Sequence, residues 1–159
     1  DGATEALWMI MYEAVRRRDR QLFENAATLF KRHVDVSRDD VYGGVFNDCT
    51  DVDQNIWQLS KILWAQIFVL IGSLQVIEHI GSSWATDMFA EQYDYCLKKF
   101  TKKQYGYSLW IGESANRKVE FPPHIRSVDI YHHPLHLMLN LLSLERIIKR
   151  GGKISGIFG

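Results

Sequence analysis

Cysteine is scarce in this chain of 159 residues: Cys49 and Cys96 are its only two, and they stand in no metal-ligand spacing. That argues against a disulfide framework or a thiolate metal site, and it leads us to expect reduced thiols in a cytoplasmic protein. An excess of charge of either sign is missing too, because 19 Lys and Arg balance 19 Asp and Glu. No broad field draws the chain to nucleic acid or to an anionic membrane, so neither is expected as a partner and a neutral or small polar ligand fits better. Long apolar runs are also lacking. The most apolar stretch, Ile62 to Ile71, is interrupted by Gln66, and its about ten residues fall well short of the roughly 20 that span a bilayer. The start has no basic segment and no cleavage signature, so no signal peptide is expected. Asp1 has no Met before it and a helical pattern begins almost at once, as if the chain began inside a larger protein.

Aromatic residues, by contrast, are plentiful at 13%, with five Trp, a richness that suits either a packed core or a cavity walled by flat rings. One core is the prior at this length, and a single domain over residues 1–159 is expected. Apolar positions recur at three and four from Ala3 to Arg18 (Leu7, Trp8, Ile10, Met11, Ala14, Val15), the spacing of a helix. Asp19 can cap a second, amphipathic helix over Gln21 to Val36. A third helix, Ser60 to His79, is apolar nearly all round and must be covered on several sides; Gly81 stops it. Ser82 or Ser83 caps an amphipathic fourth helix, Trp84 to Phe100. A fifth begins near His133 with Pro134 in its first turn, runs through a Leu-rich stretch to Gly151-Gly152, and is expected to be buried. The loops after helices two and four, Ser37 to Leu59 and Thr101 to Ile130, carry the turn residues and paired apolar positions of short β-hairpins.

Inner and outer helices thus alternate, as in a solenoid or a closed ring of helical hairpins. The starts of helices one, three and five should share one end with both long loops. That end would collect Glu5, Lys61, Trp64, Gln66, Trp110, Tyr131, His132, His133 and His136. Three His in five residues are the strongest local signal. His132 and His136, four apart, could share a helix face and have the spacing of two zinc ligands, but the glutamate that completes such a motif is absent, and no metal is expected. The positive end of a helix disfavours an imidazolium, so a histidine there suits proton abstraction or carbonyl polarisation; capping and core hydrogen bonding remain the plain alternatives. Gly43-Gly44 lacks the spacing and the Lys of a phosphate loop and reads as a turn.

Three runs, Asp40-Val41-Tyr42-Gly43-Gly44-Val45-Phe46, Lys61-Ile62-Leu63-Trp64-Ala65-Gln66 and Tyr131-His132-His133-Pro134, resemble successive signatures of the N-acylglucosamine 2-epimerase family. Their order and separation match over nearly the whole chain. The resemblance implies an all-α fold, antiparallel helical hairpins forming the C-terminal portion, about five of the twelve helices, of an (α/α)6 toroid, with the site at one end. It implies a sugar 2-epimerase or aldose–ketose isomerase needing no cofactor, with His132 as catalytic acid or base. Trp64 and Gln66 would line the sugar site. Three positions depart from the pattern: Gly2 stands about where a second histidine is expected, Phe68 replaces an acidic residue, and Leu135 replaces an arginine. His136, beside Leu135, is taken as a second catalytic candidate. Glu5, Lys61, Trp110, Tyr131 and His133 complete the expected substrate contacts. Two other readings stand beside this one. The first is a non-catalytic carbohydrate-binding or interaction protein. The second is a glycoside hydrolase or lyase, for which Glu5, Asp53 and Glu113 are the loosely placed carboxylates. Two amphipathic helices are too few to cover two apolar ones, so a homodimer is expected.

Overall fold

The computed structural model describes residues 2–102, 109–110, 114–120 and 131–159, with the side chains of residues 102, 109, 110 and 114 outside the description. Five helices dominate the described residues: α1 (Gly2–Arg17), α2 (Arg20–Ser37), α3 (Leu63–His79), α4 (Ser83–Lys99) and α5 (His132–Lys149). Asp19 caps α2 as its spacing predicts, its carboxylate accepting from Leu22 N–H at 3.0 Å. Helices α1 and α2 pack as one hairpin and α3 and α4 as the next, while α3 touches both α1 and α5 and forms the centre of the arc. No described helix is long and apolar enough to cross a membrane.

The centre is built as its sequence requires. Helix α3 is buried along almost its whole length, and Gly72 on it admits the Phe30 ring of α2 so closely that a Cβ there would overlap the ring. Met11, Ala14, Phe23, Phe30, Leu63, Phe68 and Leu70 meet around it in a single apolar core. A helix with no polar face is stable only when neighbours cover it, and α1, α2, α4 and α5 all do so.

Among the described residues the long loops carry three two-stranded antiparallel sheets: β1 (Asp48–Asp51) with β2 (Ile56–Gln58), β3 (Lys61–Ile62) with β6 (Ser114–Ala115), and β4 (Thr101–Lys102) with β5 (Leu109–Trp110). The β3–β6 pair explains why α3 starts at Leu63 and not at Ser60: Lys61 and Ile62 are held extended by the second loop.

Helix α5 differs from its expected burial. Its buried residues are His136, Asn140 and Ser143, whereas Leu137, Met138, Leu141, Leu142 and Ile148 are exposed, Ile148 by 74%. The helix turns its polar edge toward α3 because Ser143 and Arg146 bond the buried Glu78 of α3 there, and a buried carboxylate without such partners would be costly.

Candidate functional site

The first loop closes on itself before it meets anything else. Asp39 N–H donates to Gly44 C=O and Gly43 N–H donates to Asp39 C=O, each at 2.9 Å. Gly43 and Gly44 lie at φ +82 and +71, where an L side chain is strained. A Cβ on Gly44 would also overlap the Tyr95 ring of α4. The turn is therefore clamped flat against α3 and α4.

Lys61 and Asp39 fix that clamp electrostatically. The Lys61 ammonium, fully buried, donates to Asp39 Oδ2 at 2.8 Å, Gly43 O at 2.9 Å and Arg117 O at 3.1 Å. Arg117 reaches back to make a bidentate pair with both Asp39 oxygens at 2.9 Å, its guanidinium over the rings of Tyr42 and Phe46. Burial opposes ionisation of Asp39, but the hydrogen bonds from Arg117, Lys61 and the Val41 and Tyr42 N–H groups outweigh it and hold the carboxyl well below the usual carboxylate range. The buried acid is Asp39; Asp40, with which the family-like run begins, is exposed. Sequence reasoning missed Asp39 and Arg117 because the partners lie 78 residues apart.

Gln66, also fully buried, reads the same turn from α3: its Oε1 accepts from Val45 N–H at 2.9 Å, and its Nε2 donates to Val45 O at 2.8 Å. Gln92 of α4 donates to Gln66 Oε1 at 2.9 Å. Lys61 and Gln66 were expected to touch substrate. Their burial and their full sets of protein partners give them a different position, beneath the loop, where they hold its shape.

The imidazole and indole side chains do come together. His132, the first residue of α5, stacks on Trp64 of α3, with ring centroids 5.2 Å apart and planes 28° apart. Phe68 meets the same imidazole edge-on at 5.9 Å and Tyr131 at 5.0 Å. Tyr131 is exposed, while Trp64 and His132 are half-buried. His133 lies against His136 at 5.3 Å, and the Nδ1–H of His136 donates to the His133 carbonyl at 3.2 Å. His136 is only 3% exposed, and burial, with the neighbouring His133, pushes it down to about 4, so it is neutral in the folded chain at physiological pH. His132 and His136 face different neighbours despite their four-residue spacing, and among the described residues no group of three His, Cys, Asp or Glu is arranged to hold a metal.

Glu5 is half-buried in the first turn of α1. Beside it, a cavity of about 430 Å³ lies between the start of α1, the end of α2 and the first loop, bordered by Thr4, Phe46, Asn47, Trp57 and Ala65. It opens at the same end of the helices as His132, since Ala65 adjoins Trp64. Trp110 is on β5 with its side chain outside the described residues, and Glu113 lies outside them altogether. Asp53 is exposed on the β1–β2 turn.

This array of antiparallel helical hairpins has the fold of the sugar epimerase and isomerase toroids. The structure is similar to that of a D-mannose isomerase at a TM-score of 0.76 and 12% identity, covering 91% of this chain and 37% of that one. It is also similar to a sugar epimerase from a ruminal bacterium at a TM-score of 0.64 and 16% identity, covering 96% of this chain and 38% of the other. The chain thus spans well under half the length of these two structures. The family model for N-acylglucosamine 2-epimerase matches residues 2–135, and the chain belongs to that family. Among curated proteins no sequence matches.

Proposed function

We propose that this chain carries the proton-transfer side of a sugar 2-epimerase or aldose–ketose isomerase site. The observation that supports it best is the stack of His132 on Trp64 at the mouth of the helical array, beside an exposed Tyr131. An imidazole held against an indole is fixed in orientation and partly shielded from water, which is what a general base acting on carbon needs.

The substrate in this reading is an open-chain aldose. His132 takes the proton from C2, the C–H electron pair becomes the C1=C2 bond, and the carbonyl oxygen gains a proton from a neighbouring donor, giving a cis-enediol. Return of a proton to C2 on the opposite face, with loss of the O1 proton, yields the epimer. Return to C1, with loss of the O2 proton, yields the ketose. Trp64, Tyr131 and Trp110 would wall the sugar, His133 would supply a donor, and Glu5 would bond a hydroxyl from α1. Lys61, Gln66 and His136 act through position, the first two beneath the Gly43-Gly44 turn and the third behind His133. The chemistry calls for no cofactor. The free thiols Cys49 and Cys96 suit a reducing compartment such as the cytoplasm.

Hydrogen exchange at carbon tests this directly. With a mannose-type aldose in D2O, deuterium should enter at C2, unaffected by chelator, and His132→Gln should slow its entry by at least about a hundredfold, the usual size of a general acid–base contribution. Sugar binding without any exchange would instead identify a carbohydrate-binding protein. Exchange that survives His132→Gln would remove His132 from the reaction.

We also propose that the exposed apolar face of α5 is covered by a second copy of the chain. Several large apolar side chains in a row, 40–74% exposed, are more than scattered surface hydrophobics.

A further inference from the structure

The far end of the helices, opposite the histidines, holds a second cavity of about 490 Å³ bordered by Arg18, Glu78, Arg146, Arg150, Ser155 and Gly156. Three arginines border it against one carboxylate, and two of them, Arg146 and Arg150, bond that carboxylate. Glu78 is 2% exposed and its oxygens are already taken: Oε1 accepts from Ser143 at 2.7 Å and from Arg146 at 2.9 Å, and Oε2 accepts from Arg146 at 2.7 Å and Arg150 at 3.0 Å. Among the residues that border the cavity, two positive charges are left in excess. His79, next to Glu78, adds none to that balance: burial lowers its pKa, and its ring bonds Ser155.

The excess is not consumed by the helix ends that meet at this cavity. The carbonyl ends of α1, α3 and α5 carry partial negative charge and would disfavour an anion. Backbone donors close them, however: Asp19 N–H on Ala14, Gly81 N–H on Val76, Ser155 N–H on Glu78 and Gly152 N–H on Ile147. Arg18 borders the cavity from the end of α1. It lies at φ +55, just past the end of α1, a conformation that glycine takes freely and L side chains rarely do.

We propose that this cavity binds a phosphate-type dianion, with Arg18, Arg146 and Arg150 as its ligands and two excess charges matching the two of the anion. The site is separate from the sugar end, so its test is independent of the catalytic reading.

Melting the 159-residue chain at constant ionic strength, with inorganic phosphate replacing chloride, should raise the midpoint by several degrees, and titration calorimetry should show saturable binding. Arg18→Asn, which suits the left-handed backbone, should keep the phosphate-free melt and weaken phosphate binding at least tenfold. Arg18→Gly should behave the same way and guards against a folding defect peculiar to Asn. A hexose 6-phosphate binding tenfold tighter than inorganic phosphate would identify a phosphorylated sugar as the source of the anion, and equal binding would identify free phosphate. An equal midpoint rise with chloride, or undiminished phosphate binding in both Arg18 variants, would overturn the proposal.

Discussion

Replacing Lys61 with Met removes the one donor that ties together three separate pieces of the site's floor. The variant keeps the length of the side chain and loses the ammonium, so Asp39 Oδ2, Gly43 O and Arg117 O each lose a hydrogen bond inside the protein. Breaking a buried ion pair by deleting one partner costs about 3–5 kcal/mol, and because Arg117 still holds Asp39 the low end, about 3 kcal/mol, applies here. Set against a typical total of about 5–15 kcal/mol, that is a large fraction of the stability. Urea unfolding followed by Trp fluorescence reads it: at a slope of about 2 kcal/mol per M, the midpoint should fall by roughly 1.5 M with the slope unchanged. Raising the salt should hardly alter the difference, since neither partner's side chain is exposed. Adding Asp39→Asn should recover at least about 1 kcal/mol relative to the sum of the two single losses, as expected for residues in direct contact. A loss below about 1 kcal/mol in Lys61→Met, or strict additivity with Asp39→Asn, would refute the claim that this pair holds the loop.

Acid should reveal His136. Its folded pKa of about 4 lies below its ordinary value of 6.5, so the unfolded chain binds the proton first. The stability it contributes is full above the ordinary value and declines between there and about 4, by about 3 kcal/mol in all; His136→Leu should flatten that slope, and an unchanged slope would assign it to other groups. Gly72→Ala should cost about 1–3 kcal/mol through overlap with Phe30, a loss that Phe30→Leu in the same chain should partly relieve. Sedimentation at micromolar concentration should show a dimer that Leu141→Glu converts to monomer; a monomeric wild-type chain would mean that the α5 face stays bare.

Much of the helical frame is legible from the sequence alone. The spacing of Leu7, Met11 and Ala14, the Asp19 cap and the all-apolar run of α3 each answer to a local rule, and each holds in the structure. Helix α5 shows where counting fails. Its six leucines, with Met138, Ile147 and Ile148, outnumber its polar residues, so a single-sequence reading buries them. Yet His136, Asn140 and Ser143 repeat at four and three, which is itself a helix face and marks the side that turns inward. What the sequence hides is partnership over distance. Nothing local says that Glu78 will need Ser143, Arg146 and Arg150, or that Lys61 will be spent on Asp39 and a carbonyl 56 residues away. The histidine–tryptophan stack was within reach because the start of each inner helix can be placed by periodicity. The Asp39–Arg117 pair was not, since both residues stand in loops where no period operates.

The pairing of β3 with β6 and the Arg117–Asp39 bridge bear on the order in which the molecule assembles. The α1–α2 and α3–α4 hairpins close over a few residues and can form while the chain is still open. The two loops meet only after a closure across 78 residues, whose entropy is recovered only when Lys61, Asp39 and Arg117 are all in place. The Asp39–Lys61–Arg117 junction should therefore form late in folding, and hydrogen exchange should find the amides of Gly43 and Val45 exchanging before those of α3.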